Sequence, residues 1–287
     1  MNPQRPVNTF RTAPPQQPRP KLTQAAPQRE RKTERSSFAR PRSTRWQRIR
    51  QFMREQPLLE SVYGFCVRAF LWLFFGSLGY VIVLKYVPVP LTPLVVSRWL
   101  DTFGTDESGH VYKKWISYDD VSKEAALAVV SSEDQNFPTH WGFDFDEIKD
   151  AIKENQTGKR ARGASTISQQ VAKNVFLWNG HSYIRKGLEA YFTMLIELIW
   201  GKKRILEVYL NVAETGPMTF GVEAASQRYY GHSAATLSRS EAARIAAVLP
   251  NPRQFSIKNP SSYIQRRTTQ ISRQMRYLGG QKYIRNL

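Results

Sequence analysis

The chain has 287 residues and a formal net charge of +19, a balance that first suggests a nucleic-acid-binding protein. The excess lies mostly at one end: residues 1–57 carry 14 Arg or Lys against three Glu, whereas residues 58–287 carry 28 basic against 20 acidic groups. We therefore expect no nucleic-acid partner for the folded part. The single cysteine, Cys66, excludes an intrachain disulfide.

Residues 1–57 are rich in Pro, Gln, Arg and Ser and poor in apolar side chains. Such a segment buries too little apolar surface to offset the entropy that it would lose on ordering, so it is predicted to be a disordered, basic cytoplasmic tail. It is also too long and too basic for the n-region of a secretory signal.

A hydrophobic segment follows the tail, and residues 69–84 contain no charged side chain. The run extends back to Ser61 with Arg68 as its only interruption, and a helix needs about 20 residues to cross a membrane. We predict a transmembrane helix over residues 58–86, with a buried core helix as the alternative. The one-sided basic flank places the N-terminus in the cytoplasm and everything after Lys85 outside.

Residues 87–104 are expected to form a linker, because the alternating prolines in VPVPLTP favour extended backbone. Residues 105–287 are expected to form one mainly α domain. Helix signals recur along this range, and strand signals are few and short.

The helix signals are caps and apolar periodicity. Asp144 and Glu147 form a D-x-x-E capping pattern, and Ser238 with Glu241 forms a second one. Ser165 is expected to cap the helix that follows it. In the segment YIRKGLEAYFTMLIELIW, apolar residues recur with a period of about 3.6, at positions 184, 188, 191, 195 and 198.

The stretch SSEDQNFPTHWGFDFDEI, residues 131–148, places Glu133 beside Asp134 and adds His140 a few positions later. Adjacent carboxylates repel each other and are costly to bury, so two interpretations compete. One is a solvated acidic turn after a helix. The other is a reaction centre in which a carboxylate is held at a helix end. Taken alone, the stretch favours the acidic turn.

A second polar cluster is GKRARGASTISQQVAKN, residues 158–174. Small residues where its helix starts allow a ligand close to the backbone, and the free N–H groups of a helix N-terminus suit an anion. On a 3.6-residue repeat, Gln170, Lys173 and Asn174 share one face and apolar residues share another. A face of donors and one cation suits a pyrophosphate and sugar hydroxyls, and the alternative is an ordinary solvent-facing side.

Two further segments place charged residues at helical spacing. Arg185 and Glu189 are four residues apart, and a surface ion pair at this spacing is worth less than about 1 kcal/mol. The other interpretation makes Glu189 a second carboxylate that faces Glu133 across a cleft, with Arg185 or Lys186 balancing its charge. The segment KKRILEVYLNVAETG, residues 202–216, has an apolar side and is interpreted as structural.

Four motifs occur in order along the chain: E-D-x-x-F-x-x-H-x-G at 133–142, G-A-S-T-I-S-Q-Q-x-x-K-N at 163–174, R-K-x-x-E at 185–189 and I-L-E-x-Y-L-N at 205–211. Together they resemble the family 51 glycosyltransferases, the peptidoglycan polymerases, and the similarity covers about residues 105–280. No transpeptidase segment follows Leu287, so the resemblance implies a monofunctional, biosynthetic member.

The resemblance implies a lysozyme-like, mainly helical glycosyltransferase domain on the periplasmic side of the bacterial inner membrane. It implies that a growing glycan is transferred to the 4-OH of lipid II, with inversion at the anomeric carbon and release of undecaprenyl pyrophosphate. The partners are then lipid II, the glycan strand and inner-membrane lipids. Other cell-wall synthesis or division proteins are left open as partners.

Matched residue by residue, Glu133 becomes the general base that accepts the acceptor's proton, and Glu189 becomes the second carboxylate of the cleft. Lys173 becomes the partner of the pyrophosphate, because the leaving group's charge must be stabilised. The other residues expected to bind substrate are Asp134, Phe137, His140, Ser165, Thr166, Gln169, Gln170, Asn174, His181, Arg185 and Lys186. No metal ligand is assigned, although Asp134 leaves a divalent cation, Mg²⁺ or Mn²⁺, open as a cofactor.

Two residues depart from the family pattern. His181 stands where the family commonly has Arg, so a permanent cation is missing from one expected phosphate contact. Met218 stands where a small residue is common, which affects the shape of a loop. Two other classes of protein remain as alternatives: a lytic, glycan-cleaving enzyme of similar fold, and a non-enzymatic membrane scaffold. The cation-rich second motif favours a pyrophosphate donor, and a scaffold has no need of Glu133 and Glu189.

Overall fold

The computed structural model describes residues 44–48, 57–103, 109–156, 164–180 and 182–287. The chain divides into two units, residues 1–61 and 62–287. A long helix begins at Pro57 and continues into the second unit. The tail predicted over residues 1–57 lies almost entirely outside the described residues, and so does His181.

The second unit is mainly helical, as the sequence predicts. The helices are α1 (Pro57–Tyr86), α2 (Pro93–Leu100), α3 (Lys123–Glu133), α4 (Phe145–Gln156), α5 (Ile167–Phe176), α6 (Tyr183–Ile199), α7 (Lys202–Val212), α8 (Val222–Tyr230), α9 (Arg239–Val248) and α10 (Ser262–Tyr277). Short 3-10 helices span Ala234–Thr236 and Gly280–Ile284. A small sheet has the order β1-β3-β2, in which β3 is parallel to β1 and antiparallel to β2. Its strands are β1 (Tyr112–Lys113), β2 (Glu214–Gly216) and β3 (Thr219–Phe220).

Helix α1 contains the hydrophobic segment. Its stretch Ser61–Tyr86 has 26 residues and a mean hydropathy of 1.9, which is long and apolar enough to cross a membrane. Most of its side chains are exposed, which does not fit the alternative of a buried core helix. Its C-terminal half packs on the domain: Val81 and Leu84 are buried there, and Trp200 Nε1 donates to the Val81 carbonyl at 2.7 Å.

The linker range 87–104 contains helix α2, which the sequence analysis did not predict. The Thr92 side chain caps this helix, and Pro93 occupies its first turn, where the missing N–H of proline costs nothing. Of the prolines that suggested an extended stalk, Pro88 and Pro90 lie in the non-helical stretch before α2, and only Pro93 starts the helix. Arg98 of α2 donates to Glu214 of β2 at 3.0 Å and ties the linker to the sheet.

Helix α3 lies at the centre of the domain. Residues 125–131 are all buried, and the helix packs against α7, α9 and α10. Alanine and valine dominate its sequence, so neighbouring helices approach it closely on several sides. Glu133, its last residue, is therefore carried by one of the most enclosed elements of the fold.

The predicted caps agree with the structure except at one residue. Asp144 accepts the N–H of Glu147 at 2.9 Å, and the capping box predicted at the start of α9 is present. Helix α5 is capped by Thr166 and not by Ser165. Thr166 is the cap because Gln169 lies three positions after it. The side chain of each residue accepts a hydrogen bond from the backbone N–H of the other.

Helix α6 exposes the two ends of its apolar face, which is half-buried between them. Ile184 and Leu198 are 76% and 72% exposed, while Glu189 is buried on the opposite side. The hydroxyl of Tyr191 lies 2.9 Å from Ser77 Oγ of α1, so the apolar face runs beside the candidate membrane helix. Such a face suits a lipid environment.

Candidate active site

Glu133 is held at the end of α3 by groups from two other helices. Its Oε2 accepts a hydrogen bond from Gln170 Nε2 of α5 at 3.1 Å. Arg267 Nη2 of α10 lies 3.8 Å from Oε1, and the Glu133 side chain is only 12% exposed. Burial raises the pKa of Glu133 above its ordinary value, the Asp134 charge adds to the rise, and Gln170 and Arg267 oppose it. A carboxylate with a raised pKa is a better proton acceptor near neutral pH.

Asp134 fixes the position of α5 relative to α3. Its carboxylate lies 2.9 and 3.0 Å from His140 Nε2 and accepts the N–H of Ile167 at 2.9 Å. Asp134 lines the cleft but is only 3% exposed. These contacts join the end of α3 to the following loop and to the start of α5.

Gln170 is held by a tyrosine as well as by Glu133. The hydroxyl of Tyr209, on α7, donates to Gln170 Oε1 at 3.0 Å, so the amide is oriented with its NH₂ toward the carboxylate. Tyr209 is buried, and burial raises the pKa of its hydroxyl well above the ordinary value. The hydroxyl therefore stays protonated and keeps donating at any pH near neutral.

The cleft consists of two cavities that share Ser165 and Gln170 as lining residues. The first measures about 570 Å³ and is called the acidic cavity, after its charged lining residues Glu133, Asp134, Asp146, Glu147, Asp150 and Arg267. The second measures about 430 Å³ and is called the basic cavity, after Arg98, Lys173, Arg185, Lys186 and Glu189. Opposite charge thus accumulates on the two sides of Gln170.

In the basic cavity, Glu189 holds two cations. Arg185 Nη1 lies 2.9 Å from Glu189 Oε2, and Lys186 Nζ bonds to Oε1. The Arg185 and Glu189 side chains are 11% and 4% exposed. This i, i+4 pair is therefore not the solvent-exposed surface ion pair that was one of the two interpretations of its spacing. A buried pair of this kind is sensitive to the loss of either partner.

Lys173 lies in the basic cavity with its ammonium partly desolvated. Desolvation lowers the pKa of Lys173, Arg185 and Lys186 lower it further, and Glu189 opposes the shift. An anion that enters the cavity would restore the favourable environment for the ammonium charge. The cavity is therefore suited to a strongly anionic ligand.

Four residues that were expected to bind substrate line neither cavity of the cleft, and one of them is His140, which pairs with Asp134. Phe137 is fully buried, and its ring packs against the Lys202 ammonium at 4.5 Å. Thr166 caps α5 and donates to the Gly142 carbonyl at 2.7 Å. Asn174 is buried and lines neither cavity, although its spacing had grouped it with Lys173. These side chains stabilise the walls of the cleft.

The carboxylates of the cleft do not form a ready-made metal site. The oxygens of Asp134 already accept hydrogen bonds from His140 and Ile167, and Glu133 accepts one from Gln170. In the part of the chain that the structure describes, no group of three or more His, Cys, Asp or Glu could hold a metal ion. A divalent cation as cofactor remains a prediction from the sequence.

Two residues of the site were not singled out from the sequence. Tyr209 lies in a segment that was interpreted as structural, and its position in a quoted motif was the one available signal. Arg267 lies on a helix far from the motifs along the chain, and no local pattern pointed to it. Both are recognised only when α7 and α10 are packed around α3.

Comparisons with known proteins identify the family of the chain. A family model described as Transglycosylase matches residues 100–276. A biosynthetic peptidoglycan transglycosylase of Pseudomonas syringae pv. syringae is 50% identical over 230 residues, which cover 80% of this chain and 98% of the relative. Proteins of the same name from Xanthomonas oryzae pv. oryzae and Bdellovibrio bacteriovorus are 51% and 48% identical; the matches cover 73% and 79% of this chain and 86% of each relative.

Proposed function

Because the chain belongs to the transglycosylase family and is a peptidoglycan glycosyltransferase, we propose that its cleft polymerises lipid II with Glu133 as the general base. The donor's pyrophosphate would occupy the basic cavity, and the acceptor would approach Glu133 from the acidic cavity. Both the lytic and the scaffold alternatives leave the cations of the basic cavity without a role.

The proposed reaction is a single displacement. Glu133 takes the proton from the acceptor 4-OH, whose oxygen forms a bond to the anomeric carbon of the donor. The bond from that carbon to the pyrophosphate breaks, and the pyrophosphate leaves with the bonding electrons. Attack from the side opposite the leaving group inverts the anomeric centre.

The environment of Glu133 supports its role as the base. Burial raises the pKa of this carboxyl, so the ionised form accepts a proton more readily than an ordinary glutamate does. The hydrogen bonds from Tyr209 to Gln170 and from Gln170 to Glu133 hold the carboxylate in one orientation. A base must be positioned before its proton affinity is useful.

The cations of the second cavity support the binding of the leaving group. Negative charge develops on the pyrophosphate as its bond to carbon breaks, and positioned cations stabilise that charge. Lys173 is the partly desolvated cation of this cavity. Glu189 holds Arg185 and Lys186 in place, and we assign this second carboxylate the role of positioning them around the donor.

The observation that carries the proposal is the meeting of two oppositely charged cavities at Gln170. The test is polymerisation of lipid II by the full chain in detergent or vesicles. Glu133→Gln should lower the rate by at least ~10²-fold, the lower range for loss of a general base. Asp150→Asn, which removes a carboxylate from the same cavity, is the control and should change the rate by no more than a few-fold.

Two results would contradict the proposal. Polymerisation by Glu133→Gln within a few-fold of the parent would remove Glu133 as the base. Shortening of preformed glycan strands, with no polymer made from lipid II, would favour the lytic alternative.

We also propose that α1 anchors the enzyme in the bacterial inner membrane as a single span, with the N-terminus in the cytoplasm and the catalytic domain in the periplasm. Support comes from the length and hydropathy of Ser61–Tyr86, from the basic residues before it and from the exposed apolar face of α6 beside it. Association with other cell-wall synthesis or division proteins remains a prediction.

A further inference from the structure

A third cavity of about 420 Å³ adjoins the acidic cavity, and aromatic residues form one side of it. Trp141 and Phe145 line this cavity and are 73% and 66% exposed. Phe143 also lines it and stacks on Phe145, with ring centroids 6.1 Å apart. We call these three residues the aromatic shelf. Clustered apolar rings left in water are a common sign of a binding surface.

The backbone under the aromatic shelf is fixed although its rings are exposed. Gly142 has a φ of +77°, and a Cβ there would lie 2.7 Å from the Thr193 methyl group. The Gly142 carbonyl accepts from Thr166 at 2.7 Å, and Asp144 accepts from Asn136 at 2.8 Å. The rings are thus presented by a rigid segment, and a pre-organised surface loses little entropy when it binds.

The other side chains around this cavity are mostly polar. Asn136, Thr139, His140, Asp144 and Asp146 line it together with the shelf. Carboxylate, amide and hydroxyl groups bond to sugar hydroxyls, while the C–H face of a pyranose packs on a flat aromatic ring. The two carboxylates disfavour an anionic lipid surface, which would otherwise be a second occupant for exposed aromatic rings. A neutral sugar fits this lining best.

The third cavity is continuous with the catalytic cleft. Asn136 and Asp146 line both this cavity and the acidic cavity that contains Glu133. A glycan that reacts beside Glu133 therefore has its neighbouring sugars within reach of the shelf. Resting on the proposed function, we propose that the aromatic shelf is a glycan subsite at which Trp141 and Phe145 stack on N-acetylated pyranose rings next to the reacting pair.

The first test is binding of N-acetylchitotetraose, a neutral β-1,4-linked sugar, to the full chain in detergent by saturation-transfer NMR. Trp141→Ala and Phe145→Ala should each weaken binding about five- to tenfold, while Trp141→Phe retains most of the affinity. Tyr277→Ala removes an aromatic side chain that is 84% exposed on α10 and should leave binding unchanged. Melting temperatures of all variants show whether the fold is intact.

The second test is the length of the glycan made from lipid II. Trp141→Ala should produce strands shorter by at least about threefold if the shelf retains the strand, while the first transfer stays within about threefold of the parent. Equal strand lengths and equal tetramer binding in parent and variant overturn the proposal.

Three further results separate failure of the subsite from failure of the proposed function. A parent that binds no tetramer overturns the subsite. A variant that binds the tetramer normally but leaves vesicles more readily identifies the shelf as a membrane contact and also overturns it. If the parent makes no polymer, the proposed function fails. Binding of the tetramer still tests whether the aromatic shelf is a sugar subsite.

Discussion

At the scale of single residues, the burial of Glu133 has a consequence for stability. A carboxyl with a raised pKa binds its proton more tightly in the folded than in the unfolded chain. The burial of this carboxyl therefore costs the folded state least below the unfolded pKa of about 4.3. The free energy of unfolding then decreases as the pH rises toward the higher pKa of the folded state. At neutral pH the ionised Glu133 destabilises the fold that positions it.

Glu133→Gln should accordingly raise the melting temperature at pH 7.5 while abolishing most activity. The difference from the parent should shrink as the pH falls toward about 4, where the parent carboxyl is protonated in both states. Thermal unfolding of the two proteins at a series of pH values measures this. Asp150→Asn serves as control, because its side chain is 70% exposed and should give no such pH-dependent gain. A Gln variant that is less stable than the parent at pH 7.5 would contradict this explanation.

Tyr209 offers a second prediction at this scale. Tyr209→Phe removes the donor to Gln170 Oε1, which frees the amide to rotate away from Glu133. We expect polymerisation to fall about tenfold, which corresponds to ~1.4 kcal/mol and is typical of one lost buried hydrogen bond.

The chain contains a matched control for this change. Tyr118 is also buried, and its hydroxyl has no hydrogen-bond partner among the described residues. Tyr118→Phe keeps the ring that lies under Lys123 and should leave activity unchanged. Equal activities of the two Phe variants would show that Tyr209 is structural, as the sequence first suggested.

Residue identities in the site were predictable where charge and spacing are local. Glu133 with Asp134, and Arg185 with Glu189, lie within single motifs, and the structure places all four in the cleft. Arg267 was not predictable, because its 3.8 Å approach to Glu133 depends on how α10 packs on α3. Phe137 was expected to bind substrate but is buried, because a motif does not reveal which way its side chains face.

At the scale of elements, α6 shows how far periodicity can be interpreted. Its 3.6-residue pattern correctly predicts a helix but does not indicate what the apolar face contacts. That face is exposed at Ile184 and Leu198 and half-buried between them, whereas Glu189, Thr193 and Glu197 are buried on the other side. Helix α2 was not predicted because Pro93 is compatible with both an extended stalk and the first turn of a helix.

The exposed face of α6 predicts a lipid contact. The double variant Ile184→Asp and Leu198→Asp should fold normally in detergent, because both residues are already exposed. In vesicles its KM for lipid II should rise several-fold, since charges beside the hydrocarbon region are unfavourable. Ile152→Asp, an isoleucine that is 53% exposed on α4, is the matched control. Equal KM values in vesicles would mean that α6 faces water.

At the scale of the whole molecule, the sequence predicted the class of fold but not the cleft. The separation of charge between the acidic and basic cavities arises from side chains of six helices, α2 to α6 and α10. Each helix shows only its own charges in the sequence. The division into a donor side and an acceptor side exists only in the assembled domain.

The topology of the whole chain provides the last prediction. Residues 1–57 carry a net excess of positive charge, and moving so many Arg and Lys side chains across a membrane is unfavourable against both the positive-inside bias and the membrane potential. We therefore expect the domain after α1 to lie outside the cytoplasm, in agreement with the proposed orientation. A reporter that is active only in the periplasm, fused after Leu287, should be active. The control is the same reporter fused to a chain lacking residues 58–86, which should be silent because no helix exports it. Activity of a cytoplasm-only reporter at the C-terminus of the full chain would contradict the orientation.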